Sequence, residues 1–458
     1  MSSTVSCPGC EVRDRRIAAL EVEIMKLRLQ LEELRREQGR QAGRFRRRKT
    51  KKKRKKSGRP AGHPAALRPA PAPEQVDRVI DVACAECPDC RVPLVDPGQV
   101  VQYQTDLPPI VPIVTQFNIE TGFCPCCRQR RQGRHPEQTS DGIGAAGNTF
   151  GPIVLSMAAE LKHRLGVPYR KICDFLKTYC GLHACPATFV RAEQRLADLA
   201  RPTYELLLDA LRRAHVVHAD ETGWRISNVN AWLWVFSSKD VTIYAIRRSR
   251  GHDVPEDILG PDFDGYLIVD GLQSYDVLDY AKGRCNAHIL RRAKDLIDSV
   301  PAREQRHLQR LIRLLQKAMD LAQRRAEFTP TSYARHVQRI EDRFDDWLET
   351  NNRRRTLSPE LERLDMHLRK HRGEWLVFLH DAEVPPTNNH AEQMLRPAVI
   401  TRKVGGCNKT LLGAMVHGIL SSLMVTCHRQ GKRFLDLARQ LWRSSQPQPI
   451  DLATLATT

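Results

Sequence analysis

Apolar residues return in alternating steps of three and four at Ile17, Leu20, Ile24, Leu27, Leu31 and Leu34. This heptad seam predicts a coiled coil over residues 11–38, with Ile and Leu placed as in parallel two-stranded pairs. The same spacing fits one amphipathic helix docked on the rest of the chain. Helical spacing resumes over residues 150–212. Residues 152–165 are amphipathic, residues 169–179 form a second helix closed by Cys180 and Gly181, and Pro186 opens a third that runs towards Leu199. Helix, glycine turn and helix predict a helix-turn-helix-like DNA-binding domain, with Arg191 and Arg195 on one face of the candidate reader. A plain helical bundle shares this pattern.

From residue 213 the period changes. Val216 and Val217 read as a strand reaching Asp220, and residues 231–236 and 241–246 as a hairpin around Ser237, Ser238, Lys239 and Asp240. Residues 265–269 read as a strand ending at Asp270, and residues 286–299 as a helix. Residues 301–380 are charged, helical and free of strand signals, which predicts an insertion between two parts of one α/β core, 213–300 and 381–440. In the second part Asn388 suits a helix N-cap, Glu392 falls one turn in, and Arg396 lies a turn further on the same face. Residues 411–427 are the most apolar stretch. They are few for a membrane span and include His417, so a buried core helix is expected.

Charge changes the picture at the N-terminal side. The chain holds 73 Lys and Arg against 53 Asp and Glu, a net charge of +20. Eleven of the thirteen residues 44–56 are basic. Such a run repels itself and suits a polyanion, so Arg46, Arg47, Arg48 and Lys49 are candidate contacts to double-stranded DNA. A solvated linker and a membrane-surface anchor are the other readings. Residues 39–79 as a whole form a basic, Pro-rich linker. Within it Arg59, in Gly58-Arg59-Pro60, suits a narrow A·T-rich minor groove.

Cysteine spacing adds a metal. Of 14 cysteines, Cys87-x-x-Cys90 and Cys124-x-x-Cys127 give two thiolate pairs in residues 80–140. Strands folding back across the β-branched residues 100–123 would bring the pairs together around one structural zinc, which would supply folding energy to a small module. Cys84 and Cys126 offer alternative ligands. Thiolate pairs of this kind, and a polar N-terminus without an apolar export signal, predict a reduced, cytoplasmic protein with no membrane span.

Three acids carry the candidate chemistry. Asp220 and Asp270 end predicted strands, and Glu392 enters a helix. Carboxylates are hard ligands for magnesium or manganese, and two such ions serve in-line phosphoryl transfer. Asp270 suits the bridging position, Asp220 and Glu392 the outer ones. Glu221 is the rival to Asp220; alternation along a strand would turn it to the opposite face.

The motifs Asp220-Glu221-Thr222-Gly223-Trp224, Trp232-Leu233-Trp234-Val235 and Asp270-Gly271 with Tyr275 resemble transposases of the insertion sequence 66 family. So do Cys285-Asn286-Ala287-His288 with Arg291 and Arg292, and Asn388-Asn389-His390-Ala391-Glu392 with Leu395-Arg396-Pro397 and Arg402-Lys403. The resemblance runs from around residue 60 to the end. It implies an RNase H-like catalytic core with an Asp220-Asp270-Glu392 metal site, a zinc segment ahead of it, and His288 close to the active centre as a DNA-positioning group. Arg396, Arg402 and Lys403 become candidate DNA contacts. Gln393 departs from the family, where arginine is usual, and that puts one DNA contact in doubt. The implied activity is DNA transposition: binding of terminal inverted repeats, cleavage, and strand transfer to target DNA in the bacterial nucleoid. A homodimer or larger assembly, with helper proteins of the same element, would carry it out. A catalytically silent DNA-binding regulator and a nuclease that cuts without joining are the alternatives.

Overall fold

The computed structural model of the chain describes residues 68–96, 98–352, 357–444 and 446–457. The expected coiled coil at 11–38, and Arg46, Arg47, Arg48, Lys49 and Arg59, lie outside the described residues. Residues 68–112 belong to one compact unit and residues 113–457 to another.

In the first unit an antiparallel bridge between Glu86 and Pro93 closes a turn over Cys87. The Cys87 N–H donates to the Val92 carbonyl, and the Arg91 N–H donates to the Cys87 carbonyl, both at 2.9 Å. The strands expected across residues 100–123 do not form before Thr121. Val100, Ile113 and Val114 are more than nine-tenths exposed, so their β-branched side chains have no face to pack on. Pro108, Pro109 and Pro112 remove ladder donors from the same stretch.

The second unit opens with a hairpin, β1 (Thr121–Cys124) and β2 (Gln129–Gln132). Three helices follow: α1 (Pro152–His163), α2 (Tyr169–Cys180) and α3 (Pro186–Arg212). Proline stands at the first position of α1 and α3, where no N–H is missed. Gly181 ends α2 at φ 64°, the left-handed cap that glycine adopts without strain. Helix α3 does not stop near Leu199. Leu196, Ala200, Thr203, Leu207 and Leu211 keep one face buried, and that packing carries the helix through Pro202.

The central sheet is mixed, with strand order β5-β4-β3-β6-β7. Its strands are β3 (Val216–Ile226), β4 (Val229–Ser237), β5 (Thr242–Arg247), β6 (Tyr266–Val269) and β7 (Ala281–Arg284). The pairs β3–β4 and β4–β5 are antiparallel; β3–β6 and β6–β7 are parallel. A short helix α4 (Asp253–Leu259) links β5 to β6, and α5 (Asn286–Ile297) follows β7. Helices α6 (Ala302–Gln323), α7 (Pro330–Asn352) and α8 (Pro359–Lys370) build a core of their own around Leu315, Phe344 and Trp347, joined to the sheet through Ile268. Helix α9 (Asn389–Gly405) returns across β3 and β4, and α10 (Leu411–Arg429) and α11 (Phe434–Arg443) complete the fold. Helix α10 is apolar and long enough to cross a membrane, but most of it is buried inside the protein. It packs on β5 so closely that a Cβ at Gly418 would stand 2.8 Å from the Tyr244 carbonyl oxygen. Only glycine allows that approach.

Candidate active site

Parallel pairing of β3 with β6 runs from Val216 opposite Tyr266 to His218 opposite Ile268 and ends there. Asp220 and Asp270 each lie two residues further on, so the register sets them side by side. Asp220 is not the strand end that the apolar pattern predicts. Strand β3 continues to Ile226 because β4 pairs with it throughout, with Asp220 opposite Val235. What ends before Asp220 is the β6 side, which leaves room beside the half-buried carboxylates. Asp220 Oδ1 accepts the Glu221 N–H, and Asp270 Oδ1 accepts the Leu272 N–H, both at 2.9 Å.

Buried cations and amides fix the frame. Arg284, at the end of β7, is fully buried and donates to the Asp270 carbonyl at 3.3 Å. It also pairs with Asp276 at 2.5 Å and Glu374 at 2.6 Å. Asn388 stands at the N-cap position of α9, but its side chain caps nothing. Its Nδ2 donates to the Ala219 carbonyl at 2.7 Å, and its Oδ1 lies 2.9 Å from His218 Nδ1. Since Oδ1 can only accept, His218 carries its proton on Nδ1. Burial lowers this imidazole to about 4, so it is neutral at ordinary pH. The Asn388 amide is therefore a tether between the Asp220 strand and the Glu392 helix, because the tighter partners lie across the fold. Asn286 adds a second tie, donating to the carbonyls of Trp375 and Pro386.

Glu392 enters from the first turn of α9. Its Oε1 is buried without a hydrogen-bond partner and lies 3.8 Å from His288 Nε2. His288 is raised above its ordinary pKa, first by the Cys285 thiol, against the effect of burial, with Asp270 and Glu392 adding to it. Burial pushes the Cys285 thiol up, but the His288 ring and the Asn388 and His288 N–H groups outweigh it and leave it lowered. The Asn388 N–H reaches Cys285 Sγ at 3.1 Å. Burial first, then the charges of Glu221, Asp270 and Glu392, push Asp220 up to about 7. The three expected carboxylates thus lie within reach of one another's charge.

Glu221 belongs to the same electrostatic group. Its carboxyl is buried, accepts from Arg250 at 2.8 and 3.1 Å, and lies 3.3 Å from the Tyr275 hydroxyl. Burial raises its pKa and Arg250 opposes that shift. Sequence reasoning treats Glu221 only as a rival ligand and misses Arg250 and Arg284. Arg250 stands 29 positions from its partner and Glu374 stands 90 from Arg284. No local spacing signals such pairs.

The other expected site residues are spread out. Arg191 is exposed near the start of α3, whereas Arg195 lies over the Trp442 ring at 5.8 Å with its Nε buried. Arg396 and Lys403 are exposed on α9. Arg402 turns inward and donates to the Thr222 hydroxyl and the Gly223 carbonyl, fastening α9 to β3. Cys87 and Cys90 belong to the first unit, and Cys124 and Cys127 to the second. Within each pair the second cysteine's N–H and thiol lower the first thiol below its ordinary pKa, which favours the thiolate that binds metal. Among the described residues, no three or more His, Cys, Asp or Glu are gathered into a ready metal site.

The family model of IS66 transposases matches residues 147–416, more than half of the chain and the span in which all three carboxylates lie. The chain belongs to the IS66 transposase family. No curated protein matches it. An IS66 transposase is a DNA-processing enzyme, and transposases of this family are typically metal-dependent. The donor chemistry here fits hard divalent ions: clustered carboxylates that repel one another, and a buried Glu392 oxygen without a partner. In this IS66 protein the matched region leaves α11 and most of α10 outside it.

Proposed function

We propose that this transposase is of the Asp-Asp-Glu type, with Asp220, Asp270 and Glu392 as its catalytic carboxylates on an RNase H-like core. The observation that carries the reading is the parallel register that sets Asp220 beside Asp270, with Glu392 close enough to raise the Asp220 pKa. A five-stranded sheet of three antiparallel and two parallel-added strands supports the core assignment. The three carboxylates would hold two magnesium or manganese ions, which when bound offset phosphate charge and lower the pKa of a water nucleophile. The chain's own residues orient the reactants. Asn388 ties the Asp220 strand to α9, Arg284 holds the Asp270 carbonyl, and His288, beside Glu392, positions the DNA strand. The substrate is double-stranded DNA, both the element's terminal repeats and the target. The exposed start of α3 with Arg191, and Arg396 and Lys403 on α9, would contact it. Arg195 and Arg402 contribute less, since both are engaged inside the fold. Arg46, Arg47, Arg48 and Lys49 of the basic run would add phosphate contacts, Arg59 would enter the minor groove, and residues 11–38 would pair two chains.

The test is cleavage and joining of the element's own ends, with magnesium and with EDTA. Magnesium-dependent nicking followed by strand transfer is the expected result. Nicking without joining would make the protein a nuclease, and binding without nicking a regulator.

One zinc per chain, held by Cys87, Cys90, Cys124 and Cys127, is part of the same reading. Metal analysis of the Cys87→Ser and Cys124→Ser proteins should show zinc lost from both. Unchanged zinc content would move the site to Cys84 or Cys126.

A further inference from the structure

We propose that Arg250 binds a backbone phosphate of the DNA strand entering the active site, and that Glu221 and Trp232 hold its guanidinium in place for that contact. The inference rests on the reading of the site as a DNA-cleaving centre and adds a substrate contact to it.

Three observations meet at Arg250. The first is its fixation. Its Nε and Nη2 both donate to Glu221 Oε1, at 3.1 and 2.8 Å, and its guanidinium lies 4.3 Å over the Trp232 ring. The backbone is held as well: the Arg250 carbonyl accepts from Ser274 Oγ at 2.7 Å, and Trp234 Nε1 donates to the Ser249 carbonyl at 3.2 Å. Ser274 lies on the loop that follows Asp270, so arginine and carboxylate are parts of one assembly.

The second is position. Arg250 lines an open cleft of about 560 Å³ together with Asp270, Gly271, His288, Arg291 and Arg292. Arg250, Arg291 and Arg292 share this lining with the carboxylates of Asp270 and Asp295. A DNA backbone is a chain of anions that must approach such carboxylates, and arginines beside them offset the repulsion.

The third is the asymmetry of the ion pair. The Glu221 side chain is 2% exposed and that of Arg250 46%. One edge of the guanidinium faces inward and is used; the rest faces the cleft. As a contribution to stability, a pair half open to water is weakened by solvent screening. As a phosphate site it is well prepared. The planar fork suits phosphate oxygens, and a side chain already immobilised loses little entropy on binding. Glu221 thus acts through Arg250, as a positioning residue.

The experiment uses the full-length protein and end DNA with single neutral methylphosphonates placed, one at a time, around the cleavage site. The wild type should lose cleavage rate about 10- to 100-fold at the phosphate Arg250 contacts, the range for a hydrogen bond to a charged group. Arg250→Gln should show a similar loss on unmodified DNA and no further loss at that one position, because the two changes remove the same interaction. Arg250→Lys should recover little, since it lacks the fork. It carries the same comparison if Arg250→Gln does not fold. Glu221→Gln should weaken the methylphosphonate effect at that position while its melting temperature stays near wild type. A wild type that cuts its ends, with an Arg250 variant whose methylphosphonate profile matches it at every position, overturns this inference alone. A wild type that does not cut with magnesium overturns the catalytic reading instead.

Discussion

Asp220→Asn is expected to make the metal-free protein more stable and to end its DNA cleavage. Asp220 is pushed up to about 7 by burial and by Glu221, Asp270 and Glu392, against an ordinary value near 4. A carboxyl with a raised folded pKa contributes stability that is complete below its unfolded pKa and is lost as pH rises through the folded one. Between pH 4 and 7 the metal-free wild type should therefore lose up to about 4 kcal/mol that the asparagine variant keeps. Urea unfolding in EDTA at pH 5 and pH 8 measures the gap, which should widen with pH. Magnesium should close it at pH 8 by stabilising the wild type alone. Cleavage by Asp220→Asn, Asp270→Asn and Glu392→Gln should fall about a thousandfold or more, because each removes a ligand charge at little change in shape. Binding to end DNA should stay within a few-fold. Near wild-type strand transfer by any one variant would remove that residue from the site.

Arg284→Ala should be the most damaging change to the fold. The arginine is fully buried and is the closest cation to Glu374; Asp276 keeps Lys370 at 2.6 Å, and both acids keep His371 at 3.5 Å. Removing one partner of a buried pair costs about 3 to 5 kcal/mol, and the remaining cations should offset part of that. The Asp270 carbonyl loses a donor at the same time, so cleavage should fall further than the remaining folded fraction explains. The cause can be checked by removing all three charges together. Arg284→Met combined with Asp276→Asn and Glu374→Gln should regain part of the stability measured by urea unfolding. A triple variant no more stable than Arg284→Ala would point to lost packing instead.

Much of the local structure was legible because apolar period and punctuation agree there. Proline opens α1 and α3, Gly181 closes α2, and the alternation around residues 231–246 yields a hairpin. The family was legible in the motifs around Asp220, Asp270 and Glu392. What escaped was set by tertiary contact. Residues 100–116 have strand composition, but they are exposed and form no strand. Pro202 and the turn-like end near Leu199 hid the continuing buried face of α3. Asn388 reads as a cap because a cap and a tether require the same side chain, and only the fold supplies Ala219 and His218. The alternation rule separated Glu221 from Asp220 by face, but it could not show that both feel the same charges. Arg402 and Arg195 look like DNA contacts in a basic chain; the sequence does not reveal Gly223 or Trp442 waiting for them.

The helices at the two ends of the second unit share one core. Leu155, Ala159, Leu196 and Ala200 from α1 and α3 pack in the same cluster as Leu420, Leu423, Leu437 and Trp442 from α10 and α11. The proposed DNA-reading helix is therefore completed by helices that lie more than 200 positions further along the chain. It cannot be lifted out as a cassette. A chain cut after Glu392 would keep all three proposed catalytic carboxylates and still lack α10 and α11, the floor of the proposed DNA-reading helix.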